Sequence, residues 1–225
     1  MGMETPKQLL RLEGVTIIER TLKPFLDCPD VEGIVISAGE NSIEAVAGIV
    51  SAMHTGAGMI KIVPGGIERQ ESVLNGLKAI SDGVDIAVIH DAVRPFIRAS
   101  LIGECVRSAG EYGAVSVMRP LKETVKVVKN GIVEETPDRS SLWITQTPQA
   151  FQTALILEAH ERACAEGFTG TDDCMLVERI GHPVRIIEGD DLNIKITTPA
   201  DLKMAGAILH YFESGGNNAE NRSRL

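Results

Sequence analysis

Residues 85–95 read DIAVIHDAVRP: an apolar run from Ile86 to Ile89 that gives way to His90, Asp91 and Arg94 before Pro95. A short apolar run of this kind fits a buried strand, and Pro95, which has no backbone N–H, takes the chain out of the sheet. Working backwards, the spacing predicts a helix over Glu68–Ile80 and a strand in MIKIVPGG (59–66). Before these come a helix over Asn41–Met53, with Asn41 or Ser42 as its cap, and a strand in GIVISAG (33–39). The run from Gln8 to Leu26 is spaced mainly as a helix. Working forwards, a helix over Ser100–Glu111 precedes a strand in AVSVMRP (114–120). Strands that alternate with helices of about ten residues or more imply parallel pairing through right-handed crossovers, so the expected fold class is α/β, a three-layer Rossmann-like sheet.

One segment departs from this rhythm. ETVKVVKNGIVEET (123–136) alternates apolar and polar residues on both sides of Asn130-Gly131, the dipeptide favoured where both central residues of a turn need positive φ. It reads as a β-hairpin arm over about 122–139. Two strands alone are marginal in water, so the arm either lies on its own domain or packs on a second copy of the chain, the reading preferred here. Beyond it, SLWITQTPQAF (141–151) is extended, helices follow over Thr153–Ala165 and near Asp172–Ile180, and strands are expected in PVRIIEG (183–189) and NIKITT (193–198). A last helix runs from Pro199 to Leu209, with Pro199 in the first turn where a missing N–H costs nothing. The tail ESGGNNAENRSRL (213–225) is polar and is expected to fray, and the whole of 1–225 reads as one domain.

Composition narrows the function. The 225 residues carry a formal charge of −9, with no Lys/Arg block to neutralise a nucleic-acid backbone. No stretch approaches a membrane span, and the start lacks the order of a signal peptide. The four cysteines, Cys28, Cys105, Cys164 and Cys174, show no metal spacing and read as reduced thiols of a cytoplasmic protein.

In doubly wound sheets ligands bind beyond the carboxyl ends of the strands, so polar residues that end apolar strands are the candidates. Gly65-Gly66, before the helix that contains Ser72, offers backbone N–H groups to a phosphate or a base edge, or is an ordinary turn. Asp91 has the hard oxygen that Mg²⁺ takes from a protein when phosphates supply its other ligands; alternatively it caps the next element and pairs with Arg94. His90 reads as a packed or hydrogen-bonded core histidine. Arg139 and Thr147 flank the extended stretch. Lys195, inside an apolar run, either lies on a solvent-facing edge or faces an anionic ligand. Thr171, Asp172 and Asp173 start a helix, as caps or as ligand contacts. There is no nucleophile elbow, zinc set or P-loop, which leaves the equipment of a phosphoryl or nucleotidyl transferase.

Taken in order, TPKQLLRLEG, GGIERQESVLNGL, VIHDAVRPF, ETVK, RSSLWITQTPQAF, TDD and NIKITTPADL resemble the 2-C-methyl-D-erythritol 4-phosphate cytidylyltransferases over residues 1 to about 209. The ribitol-5-phosphate cytidylyltransferases share several of these elements, and RSSLW with TVK favours the former. The resemblance implies a nucleotide-diphospho-sugar transferase fold, CTP and a polyol phosphate as substrates, Mg²⁺ as cofactor, and a homodimer formed through the arm. It implies that Lys7 stabilises the transition state at the α-phosphate, that Gly66 and Ser72 hold cytosine, and that Asp91 binds the metal. Arg94, Thr147, Thr171 and Lys195 would surround the sugar phosphate, with Arg139 and Lys195 orienting it. Thr124 and Lys126 would reach the partner's site. Two departures stand out: Glu123 replaces the family's usual aspartate, and the strand and glycine-rich, arginine-bearing loop with which the family is expected to begin are absent ahead of Met1. A non-catalytic dimeric binding module is the competing reading.

Overall fold

The computed structural model describes residues 5–53 and 59–214. The Met1 end and the glycine-containing tail beyond Ser214 lie outside the described residues.

The stretch from Gln8 to Leu26 is not one helix. A 3-10 turn over Lys7–Leu9 leads into a two-stranded ribbon, β1 (Arg11–Leu12) and β2 (Val15–Thr16), turned by Glu13 and Gly14 at φ 49° and 79°. Helix α1 (Ile17–Leu26) begins only where a capping box allows. The Thr16 hydroxyl accepts the Glu19 N–H at 3.3 Å, and the Glu19 carboxylate accepts the Thr16 N–H at 2.9 Å. The apolar spacing was real, but Glu13-Gly14 breaks the chain direction in the middle of it.

The alternation then runs as expected: β3 (Ile34–Ala38), α2 (Ile43–Ala52), β4 (Ile60–Pro64), α3 (Arg69–Lys78), β5 (Ile86–Ile89), α4 (Ala99–Tyr112) and β6 (Ala114–Pro120). The arm follows as β7 (Val127–Lys129) and β8 (Ile132–Glu135), then β9 (Trp143–Gln152), α5 (Thr153–Ala165), α6 (Asp173–Arg179), β10 (Arg185–Glu188) and α7 (Pro199–Glu213). Asn130 and Gly131 adopt φ of 51° and 78°, the left-handed pair that a tight hairpin turn requires.

Pairing is mixed rather than all parallel. One sheet has the order β10-β6-β9-β5, and β3 pairs with β4 in a separate parallel pair. β10 runs parallel to β6, but β9 lies antiparallel to both β6 and β5. The reason is the arm: β6 and β9 are joined by a hairpin excursion instead of a crossover helix, so the chain returns in the opposite direction.

Successive residues face opposite layers, and the cores follow that alternation. Val115, Val117 and Ala150 pack with Leu101, Ile102 and Cys105 of α4 on one face. Ala87, Ala114 and Phe151 pack with Leu77 of α3, Ile156 of α5 and Leu176 of α6 on the other. Three layers result.

Residues 193–198 form no strand. Ile196 donates its N–H to Val93 O at 2.9 Å and buries its side chain against Ala205 and Ile208 of α7. Thr197 and Thr198 are taken up by Asp201, the third helical residue, which completes a capping box with Thr198 at the start of α7. The alternating pattern of NIKITT therefore records one buried anchor and a helix cap rather than a pleat.

Candidate active site

Strand β5 delivers His90 and Asp91 to the carboxyl edge of the sheet, and the turn that follows brings Arg94 back beneath them. A chain of hydrogen bonds fixes the turn. The Asp91 N–H donates to Thr147 Oγ1 at 3.1 Å, and Thr147 Oγ1 lies 3.0 Å from His90 Nδ1. His90 Nε2 lies 3.1 Å from Arg94 O. A carbonyl only accepts, so Nε2 carries the proton, Nδ1 is bare, and the threonine hydroxyl donates to it. Desolvation lowers the His90 pKa to about 4, which keeps the ring neutral near pH 7. His90 is thus a hydrogen-bonded structural histidine.

Asp91 is the centre of charge. Its Oδ2 is 3.1 Å from Arg94 Nε and 3.1 Å from Lys195 Nζ, while Oδ1 is 3.7 Å from Arg69 Nε. Burial alone would raise its pKa, but Lys195, Arg94 and Arg69 outweigh burial and hold it below the ordinary carboxylate value. Lys195 reaches Asp91 from the loop before α7, and that loop is fastened from behind. Asn193 O accepts from Arg94 Nη1 at 2.8 Å, and Asn193 Nδ2 donates to Thr147 O at 2.9 Å. Gln146 Nε2 donates to Asp190 O at 2.8 Å. Asp91, Arg94, Thr147 and Lys195 are therefore brought together in one cleft.

The turn between β4 and α3 is close by through Arg69. Gly66 admits no side chain, because a Cβ there would sit 2.2 Å from Glu71 Cβ. The Gly66 N–H donates to Ser72 Oγ at 2.9 Å and the Ile67 N–H to Glu71 Oε2 at 2.8 Å. The expected supply of free backbone N–H groups is consequently satisfied within the turn itself. Thr171 is exposed just ahead of α6, and its hydroxyl lies 3.7 Å from Met175 Sδ. Asp172 accepts the Met175 N–H at 2.9 Å and so is the helix cap.

Other candidates have other partners. Lys7 opens the first 3-10 turn, whose Leu9 packs with Ile18 and Leu22 of α1. Arg139 donates to Lys122 O at 2.8 Å at the root of the arm, and Lys126 donates to Thr136 Oγ1 at 2.6 Å on the arm. Thr124 is exposed there as well. A groove of about 430 Å³ lined by Val15, Pro24, Phe96, Leu209 and Phe212 contains none of these groups.

Arg69 was passed over in the sequence, and Asp173 was weighed there only as a cap or a ligand contact. Arg69 Nη2 pairs at 2.8 Å with Asp173 Oδ2, and Asp173 Oδ1 lies 3.1 Å from the buried His160 Nε2. The available signal was position: Arg69 starts a helix three residues after the Gly65-Gly66 that follows β4.

Asp91 fits a hard divalent cation as a single protein ligand. Among the described residues no group of three or more His, Cys, Asp or Glu side chains is placed to hold a metal. A site with one carboxylate suits an ion whose other ligands are phosphate oxygens and water, and Oδ1 is the less engaged oxygen.

Comparisons with known proteins give the family. Residues 1–211 match the family model for 2-C-methyl-D-erythritol 4-phosphate cytidylyltransferase. Two curated relatives of that name, from Geobacter metallireducens and Geobacillus kaustophilus, are 46% and 47% identical. The alignments cover 93% and 90% of this chain, and 91% and 88% of those proteins. The solved structure of 4-diphosphocytidyl-2C-methyl-D-erythritol synthase from Anaerococcus prevotii superposes with a TM-score of 0.84 at 30% identity, covering 90% of this chain and 93% of that one. The Thermus thermophilus enzyme superposes at 0.77 and 30% identity, over 91% and 94% of the two chains. The fold is thus the Rossmann-like one of these transferases. The chain belongs to the 2-C-methyl-D-erythritol 4-phosphate cytidylyltransferase family.

Proposed function

We propose that the protein transfers CMP from CTP to 2-C-methyl-D-erythritol 4-phosphate, releasing pyrophosphate and 4-diphosphocytidyl-2-C-methyl-D-erythritol. Family membership supports the substrates. The observation that carries the chemistry is the cleft at the end of β5, where one ionised carboxylate, Asp91, is surrounded by Lys195, Arg94 and Arg69. An oxygen of the polyol phosphate attacks the α-phosphorus of CTP, the bond to the β-phosphate oxygen breaks, and pyrophosphate leaves. A phosphate dianion is already a nucleophile, so no proton needs removal and no covalent enzyme intermediate forms.

Catalysis in this reading is positioning and charge. Lys195 and Arg94 are anchored near the attacking phosphate, and each cation about 4 Å from developing charge is worth about 4 kcal/mol at an effective dielectric near 20. Asp91 would hold Mg²⁺, which would supply Lewis-acid stabilisation of the triphosphate. Thr147 and Thr171 complete the polyol-phosphate side, Gly66 and Ser72 form the turn assigned to cytosine, and Lys7 is assigned to the α-phosphate.

The arm is assigned to a second subunit. Val128, Ile132 and Val133 are 55–70% exposed on it, which a free two-stranded ribbon does not sustain in water. A homodimer covers this face and carries Thr124 and Lys126 toward the partner's cleft, while Arg139 is assigned with Lys195 to orienting the attacking phosphate. Among the described residues no helix is long and apolar enough to cross a membrane, and the free thiols suit a cytoplasmic enzyme. Phosphorus NMR of the full-length protein with CTP, methylerythritol phosphate and Mg²⁺ tests the assignment. A new pair of diphosphate-diester resonances growing with pyrophosphate is expected, and their absence overturns it.

A further inference from the structure

Helix α3 begins at the turn assigned to cytosine, yet its first two side chains point elsewhere. Gln70 is half-buried and spends both ends of its amide on one distant stretch of main chain. Its Oε1 accepts the Gly170 N–H at 2.9 Å, and its Nε2 donates to Phe168 O at 3.1 Å. Arg69 adds the pairing with Asp173 at 2.8 Å, three residues further along the same stretch. Residues 168–172 lie between α5 and α6, so the Phe168 carbonyl and the Gly170 N–H have no helix or sheet ladder to join. Thr171, next to Gly170, is exposed, and a slot of about 50 Å³ separates it from the start of α3.

Resting on the functional reading above, we propose that Gln70 is a positioning residue for the polyol-phosphate half of the site. Its amide clamps Phe168 and Gly170 and thereby sets where the Thr171 hydroxyl stands, although Gln70 belongs to the nucleotide-side helix and is assigned no contact with either substrate. The clamp explains why the amide faces away from the cytosine turn. It also makes α3 a single rigid part between the two half-sites: Gly66 and Ser72 at one side, Thr171 at the other, and Asp91 reached by Arg69 between them.

The test combines substrate-resolved kinetics with amide hydrogen exchange on the full-length protein. In Gln70→Ala, the KM for methylerythritol phosphate rises about tenfold, the scale set by losing a buried hydrogen bond. The KM for CTP and kcat stay within about twofold of the parent, because uniform binding of only one substrate has been removed. Gln70→Glu keeps an acceptor for the Gly170 N–H and loses the donor to Phe168 O, so its KM lies between the two. In the substrate-free protein, Gln70→Ala speeds exchange at Gly170 while the amides within α3 and α5 keep the parent's protection. An unchanged KM for the polyol phosphate, or equal changes for both substrates and kcat, overturns the proposal. Unchanged exchange at Gly170 overturns it too. A parent protein inactive on methylerythritol phosphate defeats the functional reading instead, and the exchange experiment then decides the clamp by itself.

Discussion

At the scale of the residue, Asp91 and His90 are neighbours with opposite assignments, and their surroundings explain the difference. Asp91 keeps its charge because three cations outweigh the burial that opposes it. Replacing it by asparagine removes the carboxylate proposed to hold the metal, so Asp91→Asn is expected to lower kcat by about 100-fold or more, and Lys195→Gln by about 100-fold, in a pyrophosphate-release assay. Circular dichroism should show both variants folded. His90 loses its charge because desolvation of its ring outweighs the hydrogen bond to Arg94 O and the nearby Asp91 carboxylate, both of which favour the protonated form. Its folded pKa of about 4 lies below the unfolded value near 6.5, so the unfolded chain binds the extra proton in that window. Stability is complete above pH 6.5 and falls as the pH drops toward 4, by up to about 3 kcal/mol from this group. Urea unfolding at pH 7, 5.5 and 4 checks the sign, and His90→Gln should flatten that dependence. Legibility at this scale was uneven. Asp91 and Arg94 announced themselves by ending an apolar strand, whereas Arg69 and Gln70 read as ordinary polar residues of a helix start, and only tertiary contact with Asp173, Phe168 and Gly170 gives them roles.

At the scale of the element, the sequence was read best where one period governs a whole segment. β6 (Ala114–Pro120) and α5 (Thr153–Ala165) lie where the pattern puts them, because each buries a continuous face. Failures came where local chemistry overrides the period. Glu13 and Gly14 turn the chain inside a helical spacing, and Asp201 draws Thr197 and Thr198 into a cap inside a strand-like spacing. The antiparallel course of β9 was hidden for another reason: strand direction depends on what the connection does, and the arm replaces a crossover. Two tests belong here. Thr198→Ala removes the hydroxyl that accepts the Asp201 N–H at 3.2 Å and should cost about 1 kcal/mol in chemical denaturation. Charging the arm with Val128→Asp and Ile132→Asp should shift the protein to monomer in analytical ultracentrifugation and depress activity, since in the proposed dimer Thr124 and Lys126 then no longer reach a partner's cleft. A dimer that persists removes the arm from the interface.

At the scale of the whole molecule, three layers place four separate stretches around one point: the end of β5, the start of α3, strand β9 and the loop before α7. None is a binding motif alone. Parts distant in sequence act together because Asn193 and Gln146 lock the Lys195 loop onto Thr147 and Arg94. The central claim is that this cleft joins a cytidylyl group to methylerythritol phosphate, and substrate preference tests it most directly. The measurement is the steady-state rate of pyrophosphate release by the full-length protein from CTP and Mg²⁺, with methylerythritol phosphate or ribitol 5-phosphate as acceptor. Release that depends on methylerythritol phosphate, with a clearly higher kcat/KM than for ribitol 5-phosphate, is predicted. Release with ribitol 5-phosphate alone, or with neither acceptor, contradicts the account.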